Sequence, residues 1–131
     1  MVAEGELFED KAPKTVAALW EILPINDRTI QTRWSGDAWR TEQNYELQPA
    51  GAPVENVADR LGPGDIIYYP GTTNIKVGFA YGKAKWLNPF MEPIDVAHIG
   101  KIDTNLDAFV KRCERIIFEG PLTVEITRIE Q

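Results

Sequence analysis

The chain has 131 residues, 44% hydrophobic and 26% charged, with a formal net charge of -6 and a pI near 4.8. That length suits a single domain over residues 1–131 with one core, and the composition lies away from disordered and fibrous classes. The acidic balance argues against nucleic-acid binding, which is built from clustered Lys and Arg.

No segment approaches the roughly eighteen apolar residues of a membrane helix, and Met1-Val2-Ala3-Glu4-Gly5-Glu6 lacks a basic stretch leading into an apolar one. A cytoplasmic protein with no membrane contact is therefore expected. Cys113 and His98 are the only residues of their kinds. An intramolecular disulfide is thus excluded and a His/Cys zinc site cannot be assembled within the chain. No metal site or cofactor is implied.

In chain order, Val2 to Glu9 reads as a strand. A helix follows Asp10, with Pro13 early, Val16, Leu19, Trp20 and Leu23 along one face, and Pro24 as its stop. Arg28 to Ser35 alternates Ile30, Thr32 and Trp34 with Gln31, Arg33 and Ser35, the pattern of a half-buried strand. Ala38 to Leu47 is a weaker strand, and Gly51 to Gly64 is a loop ending at Leu61-Gly62-Pro63-Gly64.

Asp65 to Tyr69 and Asn74 to Tyr81 form a hairpin across Pro70-Gly71, the second strand alternating Ile75, Val77, Phe79 and Tyr81 with Lys76, Gly78 and Ala80. Asp95 to Ile102 is a further strand. A second helix, capped by Asn105, carries Leu106, Phe109, Val110, Cys113 and Ile117 on one face, with Lys111, Arg112 and Arg115 on the other. In that apolar stripe Cys113 reads as core rather than nucleophile. Leu122 to Ile129 closes the set, and the fold class expected is mainly β, a closed barrel with two helices.

Gly5-Glu6-Leu7-Phe8-Glu9-Asp10-Lys11-Ala12-Pro13-Lys14-Thr15-Val16 resembles the opening of cyclophilins, and Gly62-Pro63-Gly64, Trp86-Leu87 and Ile99-Gly100-Lys101-Ile102 resemble later parts of that fold. The resemblance implies a cyclophilin-like barrel. It also implies a site built on a strand arginine, matched to Arg33, with Trp86 as the family tryptophan and His98 near the family histidine. Trp34-Ser35-Gly36-Asp37-Ala38-Trp39-Arg40 stands where cyclophilins carry their Phe, Met and Gln run, and no Gln-Phe-Phe follows Asn74. Prolyl isomerisation or proline-peptide binding is accordingly the second reading. Arg33-Trp34-Ser35-Gly36, Gly64 to Gly71 and Phe79-Ala80-Tyr81-Gly82 more closely resemble a bacterial branch of cyclophilin-like proteins, the domain-of-unknown-function 3830 family.

The expected site centres on Arg33, whose guanidinium can grip a carboxylate or polarise a carbonyl. The competing reading is a surface ion pair. Lys76 adds a second cation and Ser35 a hydroxyl, although an exposed strand lysine is the plainer reading of Lys76. Trp39, Tyr69, Tyr81 and Trp86, with Tyr68, supply flat walls, or else core. His98 is the one side chain that ordinarily titrates near neutrality, so it is an acid–base candidate or else a structural histidine. Together these imply a protein that binds a small anionic or amide-bearing molecule, with hydrolase or isomerase chemistry as an extension. Partners are expected to be a small molecule or short peptide, and a homo-oligomer is left open.

Overall fold

The computed structural model describes residues 1–129. Its elements are β1 (Glu4–Leu7), α1 (Pro13–Ile22), β2 (Ile25–Gln31), a 3₁₀ turn (Arg33–Ser35), β3 (Gly36–Thr41), β4 (Val57–Ala58), β5 (Asp65–Pro70), β6 (Ile75–Ala84), β7 (Val96–Thr104), α2 (Leu106–Glu114), α3 (Ile116–Glu119) and β8 (Thr123–Ile126). The fold is mainly β, one eight-stranded sheet curled into a half-barrel with two principal helices.

Every strand pair is antiparallel, in the order β1-β7-β5-β6-β3-β2-β8, with β4 added to β7. Among the described residues β1 and β8 remain the two edges, so the sheet does not close on itself as the sequence suggested. The expected hairpin forms, pairing Tyr69 with Lys76 and Ile67 with Gly78.

Alternation along β6 sorts the two faces. Val77, Phe79 and Tyr81 point into the curl, where they pack with Trp39, Tyr68, Ile99, and Val16 and Leu19 of α1, and Phe109 and Cys113 of α2. The outer face carries Lys76, Gly78, Ala80 and Gly82. A smaller apolar cluster of Ala38, Ile67, Ala80, Val96 and Trp86 lies on it.

Helix α1 begins at Pro13 as expected, but Ala12 before it has no side-chain cap. The missing cap comes from the 51–64 loop. Glu55 accepts the backbone N–H of Thr15 at 2.7 Å and its hydroxyl at 2.8 Å, and the Lys14 N–H at 3.2 Å. These bonds outweigh partial burial, which pushes the other way, and hold the Glu55 carboxyl below its usual range. Glu55→Ala is therefore expected to cost about 1–2 kcal/mol in urea denaturation, the size of a lost helix cap; an unchanged midpoint would show that this carboxylate carries no capping load.

Asn105 occupies the N-cap of the second helix as expected, but in the left-handed region with φ 63° and without a side-chain capping bond, its amide reaching back to the Val2 carbonyl at 2.7 Å instead. The helix ends at Glu114, and Ile117 belongs to the separate short turn of α3. Among the described residues no helix is long and apolar enough to cross a membrane, which says nothing of spanning by strands.

Candidate functional site

The strand expected over Arg28 to Ser35 ends at Gln31, and the chain then turns through 3₁₀ geometry into Gly36, whose φ is 112°. Apolar alternation continued through the turn, but the backbone did not. Arg33 therefore leaves the sheet: its side chain is 65% exposed and pairs with Asp37 at 3.0 Å. Asp37 in turn lies over Gly82, where a Cβ would stand 2.5 Å from its Oδ2. The surface ion pair is the arrangement present.

The arginine that stays on the sheet is Arg40 of β3. It is paired in register with Gly78 of β6, and Lys76 lies diagonally beside it on the same outer face. Contrary to the plainer reading of an exposed lysine, Lys76 is only 4% exposed. Both cations are held by the same short segment: Arg40 Nη1 donates to the Thr41 carbonyl at 3.0 Å and Lys76 Nζ donates to the Glu42 carbonyl. Neither pairs with a carboxylate among the described residues.

Burial and then the charge of Arg40 lower the Lys76 pKa, against the opposing pull of Asp27 and Glu42. Burial likewise lowers that of Arg40, against Glu42. Both shifts have the direction expected where burial of a cation outweighs the pull of nearby carboxylates.

Two aromatic groups border this corner. Tyr69 stands opposite Lys76 on β5, and its ring folds over Gly71. Trp86 lies flat on β6 because Gly78 leaves room; a Cβ there would meet the indole Cη2 at 2.6 Å and Ile67 Cδ1 at 2.9 Å. Ser35 fixes the segment that follows this tryptophan, its hydroxyl accepting the Leu87 N–H at 2.9 Å and donating to the Leu87 carbonyl at 3.1 Å. Ser35 thus positions the wall rather than facing the corner.

The segment after β3 is stitched down by Asp27. Its carboxylate accepts Tyr45 Oη at 2.6 Å, Gln43 N at 3.1 Å and Arg28 N at 2.6 Å. Burial raises the Asp27 pKa, but these bonds lower it further and the net direction is down.

The other expected site residues fall elsewhere. Trp39 is inside the curl, stacked on Phe79 at 4.4 Å between ring centroids, with its indole N–H directed at Cys113 Sγ at 3.3 Å. The Cys113 thiol is pushed up to about 11 by burial, in keeping with a core residue. Tyr81 is also interior, 4% exposed and bonded to the Gln31 amide. Tyr68 binds the Leu47 N–H and the Tyr45 carbonyl, each at 2.9 Å. A recess of about 170 Å³ opens beside it, and among the described residues Glu46 is the charged one that lines it.

His98 does lie on the outer face, in the transverse row Arg40, Gly78, Ile67, His98. Three strand spacings of about 4.8 Å put its backbone about 14 Å from that of Arg40, with Trp86 between. Its Nε2 is 3.0 Å from Asp65 Oδ1 and its ring meets Phe8 edge-on. Burial raises the Asp65 pKa, but His98 and the Gly62 N–H lower it further. The structure thus brings together Lys76, Tyr69 and Trp86 with Arg40, and separates Arg33, Trp39, Tyr81 and His98 from them.

A family model described as protein of unknown function DUF3830 matches residues 1–128. The chain belongs to the DUF3830 family. No curated protein matches the sequence of this DUF3830 chain, whereas six chains of solved structures match it. One is a structure of McbB in complex with tryptophan, with a TM-score of 0.63 and 18% identity, covering 98% of the DUF3830 chain and 41% of the McbB chain. At that identity the likeness concerns the fold, and the DUF3830 chain spans less than half the length of that neighbour.

Proposed function

We propose that this protein binds a small carboxylate- or amide-bearing molecule on the outer sheet face, held by Arg40 and Lys76 between Tyr69 and Trp86. The observation that carries this reading is two partly or fully buried cations at diagonal positions, neither in an ion pair with a carboxylate among the described residues, in a chain of net charge -6. Desolvated cations of that kind are costly unless an anion joins them. A guanidinium supplies paired donors to a carboxylate, and the aromatic surfaces cover the apolar remainder of a small ligand. The tryptophan bound by the structural neighbour belongs to the same broad class of amphipathic carboxylates. The buried Cys113 thiol fits a reducing, cytoplasmic setting.

A thermal-shift screen of small acids, amides and peptides tests this. Small carboxylates at a hundredfold excess over Kd are expected to stabilise the wild type by about 2.7 kcal/mol. Arg40→Ala is expected to lose that response. Absence of any shift across the acids and amides would sink the proposal.

Prolyl isomerisation is favoured by one feature, an arginine and a tryptophan sharing this face, although the arginine is Arg40 rather than Arg33, to which the resemblance to cyclophilins assigned that part. Its difficulty is the floor, where Lys76 and Gly78 stand near the positions that the resemblance gives to a Gln-Phe-Phe run. A proline-peptide assay is expected to give no acceleration that Arg40→Ala abolishes; an Arg40-dependent rate would favour the isomerase instead.

A further inference from the structure

We propose that Lys76 is a carbonyl-capturing lysine, its amine condensing with the keto group of a 2-oxo acid whose carboxylate is held by Arg40. This rests on the preceding reading of Arg40 as a carboxylate anchor.

Three features of the molecule support it. First, Lys76 is one of the few buried charged side chains of the described residues, and its Nζ is bonded to a neutral backbone carbonyl rather than to a carboxylate that would stabilise the ammonium form. Second, a guanidinium lies diagonally beside it on the same face, and burial together with that cation favours the free amine, the form that attacks carbonyls, against the opposing charges of Asp27 and Glu42. Third, Arg40 and Lys76 are tied to the consecutive carbonyls of Thr41 and Glu42. Both side chains thus end on one two-residue segment from diagonal positions of β3 and β6, and in a 2-oxo acid the carboxylate and the carbonyl carbon are directly bonded.

The step balances without a redox partner. The Lys76 lone pair forms a C–N bond to the keto carbon, the carbonyl oxygen takes up a proton, and the nitrogen loses one to give a carbinolamine. Loss of that oxygen as water then leaves a C=N bond between Lys76 and the acid. Lys76 gives up its bond to the Glu42 carbonyl as it does so, and Arg40 keeps the carboxylate in place.

The test uses the full chain, pyruvate as the probe, and borohydride to reduce any imine, followed by peptide mapping by mass spectrometry. One reduced adduct on Lys76 is expected, formed about tenfold or more faster than on exposed lysines such as Lys83 and Lys85, because the anchored acid is held in position. Arg40→Ala should remove that preference, and Lys76→Arg, which keeps the charge, should abolish the adduct while preserving the circular dichroism spectrum. Labelling of Lys76 no faster than of the exposed lysines overturns the proposal.

Propionate, which has a carboxylate but no keto group, separates the two levels. Arg40-dependent stabilisation by propionate without trapping of pyruvate on Lys76 rejects the carbonyl chemistry and leaves the binding reading standing. Failure of propionate and pyruvate alike to stabilise the wild type rejects both.

Discussion

Trp39→Ala is expected to lower the free energy of unfolding by about 3–5 kcal/mol, the cost of deleting a large aromatic side chain from a packed core. Trp39 is 3% exposed, stacked on Phe79, and its indole N–H ends on the Cys113 sulfur that α2 brings into the curl. Its removal opens a cavity between β3, β6 and α2 and strips a partner from each. Guanidinium denaturation followed by circular dichroism measures the change; a loss under about 1 kcal/mol would mean that the site collapses far more freely than packed interiors do. Trp39→Phe restores most of the stacking and is expected to retain the wild-type response to carboxylates, because the ring lies on the face of the sheet opposite Arg40.

The second large effect belongs to Asp27. Asp27→Ala removes a nearly buried carboxylate that accepts three hydrogen bonds and leaves the Tyr45 hydroxyl and the Gln43 and Arg28 N–H groups to find other partners. Each unsatisfied buried group costs about 1–3 kcal/mol, so a combined loss of about 2–4 kcal/mol is expected after partial rescue by water. The variant should also weaken ligand binding, since the same bonds hold the segment whose Thr41 and Glu42 carbonyls receive Arg40 and Lys76.

Acid provides an independent check. The folded pKa of Asp27 lies below its usual 3.8. Its contribution to stability is therefore complete above that value and is lost as the pH falls through the lowered one. Asp65 and Glu55 are shifted in the same direction and add to the same acid limb. Denaturation midpoints measured downward from neutral pH should fall steeply below about pH 4 in the wild type and less steeply in Asp27→Asn. Parallel acid limbs would contradict the assignment of that slope to Asp27.

Much of the scaffold is legible in the sequence because it rests on local signals. Pro13 and Pro24 bracket α1, Pro70-Gly71 turns the β5–β6 hairpin, and period-two alternation places Val77, Phe79 and Tyr81 on one face. The Cys113 stripe on α2 is equally readable. Alternation is not enough where the backbone turns or where distant strands set the register. Thr32 to Ser35 continues the apolar pattern of β2, yet the 3₁₀ turn and the positive φ of Gly36 take Arg33 out of the sheet. Arg40 stands in a short strand whose own alternation, Trp39 and Thr41 against Ala38 and Arg40, carries the needed signal. Its partnership with Lys76 depends on the register of β3 against β6, which no local pattern specifies. The burial of Lys76 has the same origin, since its covering segment is held by Asp27 across the sheet. That β1 and β8 end the strand order also reflects which distant strands pair.

Calorimetric titration of a small carboxylate such as propionate into the wild type, Arg33→Ala and Arg40→Ala tests the location and chemistry of the site most directly. Arg33→Ala is expected to bind as the wild type does, because its guanidinium is engaged with Asp37 away from the sheet. Arg40→Ala is expected to bind about 10- to 100-fold more weakly, the loss of charge-assisted hydrogen bonds. Wild-type affinity in Arg40→Ala, or weakening confined to Arg33→Ala, would contradict a site built on Arg40 and Lys76.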